Sequence, residues 1–136
     1  MNHPILAIDY GDVRLGIAAT DEFGLAAHPV ETIDSRTTEV IARILEIVAT
    51  RKVCEVIVGL PLRMDGSEGK SSKKVRDFGE HLRKMLGDIP LIYVDERFTT
   101  ISAAEKLREA GRNAKKQKNI IDQAAALEIL KDYLGW

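Results

Sequence analysis

Two short apolar runs, each ending in acid, constrain this chain more than anything else in it. The first is Ile5-Leu6-Ala7-Ile8-Asp9, followed by Tyr10-Gly11. The second is Leu91-Ile92-Tyr93-Val94-Asp95-Glu96, followed by Arg97. Apolar runs this short, bounded by Gly or Pro and rich in β-branched residues, read as buried strands. A carboxylate inside or just beyond such a strand is costly unless something pairs with it. If both strands lie parallel in one sheet, their acidic ends share the edge where open α/β sheets place ligands. The expectation is a carboxylate cluster at that edge, a donor set suited to Mg²⁺ or Mn²⁺.

The rest of the sequence fixes the frame around these runs. At 136 residues the chain is expected to form one domain, residues 1–136. Residues 4–10, 13–20 and 25–33 read as three antiparallel strands, with Gly11-Asp12 turning the first pair. Pro29 demotes the third to a sheet edge. Val40, Ile41, Ile44, Leu45 and Val48 then fall at helical spacing, with Asp34 or Ser35 as the expected cap. A strand follows at 53–60, stopped by Gly59 and Pro61. Next come a polar loop, a helix from Ser71 or Ser72, and a fifth strand at 91–94. A third helix is expected over 100–110, a basic loop over 111–118, and a last helix over 120–134 capped by Asn119. The order β-β-β-α-β-α-β-α-α predicts an α/β fold. Its sheet is mixed and five-stranded, three strands antiparallel and two parallel, with helices on both faces.

Within that frame, three carboxylates can converge: Asp9 on the first strand, Glu96 past the fifth, and Asp122 in the last helix. Side chains alternate along a strand, so only one of Asp95 and Glu96 should face the cluster. A solvated strand end explains Asp95-Glu96 alone, and a favourable helix-dipole interaction explains Asp122 alone. Their joint placement is what a two-metal phosphodiester site needs, with cations about 3.5–4 Å apart. Arg14 and Arg97 are the cations nearest these acids in sequence. Arg63, Lys70, Lys73, Lys74 and Arg76 form one basic group; Arg112, Lys115, Lys116 and Lys118 form another. Both could grip a nucleic-acid backbone. The net charge of −1 neither demands nor excludes such a partner.

Other chemistries find less support. Gly66-Ser67-Glu68-Gly69-Lys70-Ser71 looks like a phosphate loop, but Met64 stands where that motif needs glycine. His3, His28 and His81 show no ligand spacing with one another or with Cys54. No serine sits in a nucleophile elbow. The single cysteine excludes an internal disulfide and fits a cytoplasmic protein. No signal-peptide pattern opens the chain, and no apolar stretch nears the roughly 20 residues of a membrane span.

The blocks Ala7-Ile8-Asp9-Tyr10-Gly11, Arg14-Leu15-Gly16-Ile17-Ala18, Val58-Gly59-Leu60-Pro61-Leu62 with Met64-Asp65-Gly66, Asp95-Glu96-Arg97-Phe98-Thr99-Thr100 and Ile121-Asp122-Gln123-Ala124-Ala125 together resemble the YqgF family, also called RuvX. The likeness covers nearly the whole chain, in order. It implies an RNase H-like fold and a metal-dependent endo- or exonuclease. It also implies Asp9, Glu96 and Asp122 as the metal-holding residues. The family is associated with maturing the 5′ end of pre-16S rRNA, hence with ribosomal particles. By analogy it is also associated with resolving Holliday junctions, which needs a dimer. RNase H-like nucleases generally carry a carboxylate at the end of the fourth strand; here that strand ends Gly59-Leu60-Pro61. Glu96 would have to replace it, which leaves one metal or two open. Two readings from other classes are a nucleotide-binding ATPase and a non-catalytic RNA-binding assembly factor. The chain is expected to act as a monomer or a homodimer.

Overall fold

The computed structural model describes residues 2–96 and 114–136. The elements are β1 (Ile5–Asp9), β2 (Arg14–Thr20), β3 (Ala27–Asp34), α1 (Val40–Arg51), β4 (Glu55–Leu60), α2 (Lys70–Leu86), β5 (Leu91–Asp95) and α3 (Ala114–Leu134). The sheet order is β3-β2-β1-β4-β5. β1, β2 and β3 are antiparallel neighbours, and β4 and β5 run parallel to β1, as the sequence predicts.

β1 is central and buried on both faces because its residues alternate between two cores. Leu6 and Ile8 join Leu15, Ile17, Val56 and Val58 beneath α1 and α2. Ile5 and Ala7 join Ala18, Ile57, Ala126, Ile129 and Leu130 beneath α3. Helices therefore cover both faces. α3 crosses β1, β2 and β3, which explains why its apolar residues run most of the way round it. Pro29 does lie in an edge strand, next to a register shift between Ile17 and Ala18. A proline and a bulge both discourage pairing with another chain at that edge.

Several expected boundaries move. The cap of α1 is Glu39, not Asp34 or Ser35. Asp34 instead ends β3 and pairs with Arg36 at 2.8 Å. Helix α2 begins at Lys70, with Gly69 as cap. Ser72 works one turn in: its hydroxyl accepts from the Gly69 N–H at 3.3 Å and donates to the Pro61 carbonyl. Helix α3 starts at Ala114 rather than 120, so Asn119 lies within the helix and not at its cap position. Lys115, Lys116 and Lys118 therefore lie on a helix and not in a loop. The physical reason is that Ala, Lys and Gln are good helix formers and no breaker interrupts them. The expected helix over 100–110, together with Arg97 and Arg112, lies outside the described residues.

Candidate active site

The parallel pairing of β1, β4 and β5 brings the ends of all three to one sheet edge. Register then decides which side chains meet there. Asp9 lies opposite Gly16 of β2. The β1–β4 pairing of Ile8 with Val58 sets Gly59 beside Asp9 on the other side. Asp9 shares the pleat direction of Ile5 and Ala7 and so faces α3. Glu96 continues the direction of Ile92 and Val94, which also pack under α3. Its backbone N–H donates to the Leu60 carbonyl at 3.2 Å, which holds the strand end against β4. Asp95 falls on the opposite face and is exposed. Of the two neighbouring acids, Glu96 is the one that joins the cluster.

Two glycines make room for it. A Cβ on Gly59 would lie 2.5 Å from Glu96 Oε2 and 2.5 Å from Ile129 Cδ1. The missing side chain of β4 is thus the space into which Glu96 folds. On the other flank, a Cβ on Gly16 would overlap the Asp122 backbone carbonyl, so only glycine lets α3 approach β2 this closely. The sequence alone reads Gly59 as a strand terminator and gives neither glycine a site role. The available signal is an isolated glycine within a strand pattern, which marks a close approach. The absent fourth-strand acid is explained too: β4 supplies a gap there, and β5 supplies the carboxylate.

Asp9 and Glu96 are hydrogen-bonded to each other. Glu96 is 8% exposed. Burial is the main reason its carboxyl is pushed up to about 9, with the nearby charge of Asp9 adding to the effect. Burial likewise raises Asp9 to about 6; the bond from Glu96 opposes this, and the charge of Asp122 adds to it. The pair therefore keeps one proton between its two carboxylates at neutral pH, as adjacent like charges must. Asp122 is raised by burial but held down by Arg14, whose Nε donates to Asp122 Oδ2 at 2.9 Å. Among the described residues no three His, Cys, Asp or Glu side chains stand together at metal-ligand spacing. The structure thus unites Asp9 with Glu96, and Asp122 with Arg14, as two adjacent pairs. The first pair fits a hard divalent cation well, since two buried carboxylates that must share a proton can exchange it for a metal ion.

The first basic group borders this edge on the other side of the sheet. A cleft of about 130 Å³ is lined by Tyr10, Gly11, Asp12, Pro61, Ser71, Lys74 and Val75. A second, of about 370 Å³, shares Pro61 and Ser71 with the first and adds Arg63 and Lys70. Arg63 lies over Gly69, with Nε 3.0 Å from where a Cβ would be. Lys73 pairs with Asp77 at 3.0 Å, Lys74 with Asp12 at 3.3 Å and Arg76 with Glu68 at 2.6 Å. Exposed pairs of this kind are worth little and exchange readily for phosphate. The loop before α2 folds partly on itself. Its amides bond within the loop: Arg63 to the Ser67 carbonyl, Gly66 to the Arg63 carbonyl and Ser67 to Asp65 Oδ1.

The family model described as RuvX, Holliday junction resolvase, matches residues 3–135. The chain belongs to the RuvX family. A RuvX relative from Cutibacterium acnes, named "Putative pre-16S rRNA nuclease", is 48% identical over 129 residues, spanning 95% of this chain and 80% of its own length. A relative of the same name from Streptomyces coelicolor is 44% identical over 130 residues, spanning 95% and 78%. Among solved structures, T. thermophilus RuvC in complex with Holliday junction substrate superimposes with a TM-score of 0.56 at 15% identity, covering 98% of this chain and 97% of that one. The fold is RNase H-like, as the sequence resemblance implies.

Proposed function

We propose that this chain is a metal-dependent nuclease that hydrolyses phosphodiester bonds of precursor 16S rRNA near the 5′ end, in the cytoplasm and on ribosomal particles. The observation that carries the reading is the Asp9–Glu96 pair, buried at the carboxyl edge of the sheet beside Arg14–Asp122. The names borne by the RuvX relatives support the substrate. A Mg²⁺ or Mn²⁺ ion held by Asp9 and Glu96 would supply Lewis-acid polarisation of the phosphodiester and activation of the attacking water. The chain's own residues do the rest. Arg14 holds Asp122 with one N–H and keeps further guanidinium donors for a phosphate. Arg63 and Lys70, with Lys74 once released from Asp12, line the path of the backbone away from the cut. Arg97, Arg112, Lys115, Lys116 and Lys118 extend that contact in this reading.

A second reading, cleavage of four-way DNA junctions, is supported by the description of the family model. One experiment separates the two. Purified protein is given end-labelled precursor rRNA and a four-way DNA junction, each with Mg²⁺, Mn²⁺ or EDTA and with Asp9→Asn alongside. Metal-dependent cutting of the rRNA that the substitution abolishes is the expected result. Cutting of the junction alone would transfer the assignment to DNA. Binding without cutting of either would leave an RNA-binding assembly factor.

A further inference from the structure

The arrangement of charges at the site bears on how many cations it can hold. An RNase H-like site with two cations needs acidic ligands on both sides of the scissile phosphate. Here the acids are not equivalent. Asp9 and Glu96 hold each other, whereas Asp122 is tied to a guanidinium at 2.9 Å. That tie is structurally reinforced. The Asp122 backbone sits against Gly16, two residues from Arg14 on the same strand, so helix and strand are locked where the ion pair forms. The next residue of α3, Gln123, adds a bond from Nε2 to Thr32 Oγ1 of β3 at 3.1 Å. The backbone at Asp122 is held in place within α3, and its carboxylate can turn toward a cation only by giving up the Arg14 bond.

Charge counting agrees. Among the described residues, and with the pair's shared proton displaced by the metal, Asp9, Glu96 and Asp122 less the Arg14 guanidinium leave two negative charges, which one divalent cation balances. A second divalent cation would make the site strongly positive before substrate arrives. It would also lie close to Arg14, and like charges this near each other in a partly buried site repel strongly. Arg14 is 29% exposed at its side chain and Asp122 18%, so the guanidinium meets solvent while its Nε is engaged. A guanidinium fixed in this way can contact a phosphate with its remaining N–H groups in the planar geometry phosphates favour.

We infer that the site holds one divalent cation, on Asp9 and Glu96, and that Arg14, fixed by Asp122, takes the place of the second cation at the scissile phosphate. Asp122 is then a positioning residue for Arg14 and not a metal ligand. This inference rests on the nuclease reading above, and its test is chosen to fail separately from it.

The test is Mn²⁺ binding followed by electron paramagnetic resonance of the free ion, on the protein alone and with the precursor rRNA fragment present. The wild type should bind one Mn²⁺ per chain in both conditions, once the Mn²⁺ that the RNA fragment takes up alone has been subtracted. Asp122→Asn should keep that site with its affinity changed less than about threefold. Glu96→Gln should weaken it at least thirtyfold. Arg14→Gln should keep one Mn²⁺ yet lose cleavage by a factor of about 10²–10³, the loss expected when one preorganised donor to the transition state is removed. Two Mn²⁺ per chain in the wild type, or a site lost in Asp122→Asn, would overturn the inference and leave the nuclease reading standing. No Mn²⁺ bound at all would overturn both. Near-ultraviolet circular dichroism of each variant confirms that the fold is intact.

Discussion

Replacing Asp9 by Asn should make the metal-free protein more stable while abolishing its activity. The two consequences share one cause. In the folded chain Asp9 is raised from 3.8 to about 6, chiefly by burial. Burial, with the charge of Asp122, thus makes ionised Asp9 cost the fold on the order of a few kcal/mol. Between these two values the folded protein holds a proton that the unfolded chain has already released. Stability therefore falls as pH rises through this window and stays low above it. Glu96, raised from 4.5 to about 9, extends the decline in the same direction toward alkaline pH. An Asn at position 9 has no such charge and also relieves Glu96 of a like-charged neighbour. In urea denaturation with EDTA, Asp9→Asn should match wild type near pH 4 and exceed it by about 1–3 kcal/mol at pH 8. With saturating Mn²⁺ the order should reverse, because only the wild type gains binding free energy. If Asp9→Asn is less stable than wild type at pH 8 in EDTA, the like-charge account of the site is wrong.

Other consequences can be checked on the same preparations. Gly16→Ala would force a methyl group into the Asp122 carbonyl and should lower the urea midpoint by an amount equivalent to about 3 kcal/mol or more. Gly59→Ala meets a side chain, not backbone, so it should cost less stability but displace Glu96, reducing Mn²⁺ affinity by about tenfold or more in a binding titration. Thr20→Val removes the acceptor of the Ile5 N–H at 2.8 Å and leaves that donor buried, which should cost about 1–3 kcal/mol by thermal or urea melts. Binding of precursor rRNA should weaken steeply with salt, and Arg63→Ala or Lys70→Ala should each reduce the log–log slope by about 1.

The sheet is legible in the sequence because its strands carry a strong two-residue alternation and its connections obey the handedness of parallel crossovers. The acids are legible because a carboxylate that ends a buried run such as Ile5–Asp9 loses its water and must be compensated by a partner. Helix boundaries are less so. Asp34 looks like a cap because Asp favours caps, yet its backbone is committed to the β2 ladder. The start of α3 is hidden because its first turns are polar, and apolar periodicity cannot mark a helix that has no apolar face there. Most instructive are Gly16 and Gly59. What they contribute is space, and the value of that space depends on which residue of a distant segment fills it. Pairing between Arg14 and Asp122 is likewise beyond local reading, since it depends on how closely α3 can lie on β2.

The bond between Arg14 and Asp122 joins residues 108 positions apart in the chain. β1, β4 and β5 are all synthesised before the helix that completes the site. A chain interrupted before α3 would have the carboxylates of Asp9 and Glu96 but neither the fixed guanidinium nor a cover for Ile5, Ala7, Ala18 and Ile57. The order of synthesis thus separates the acids from their setting: the Arg14–Asp122 bond and the apolar cover of this face both wait for α3 to dock.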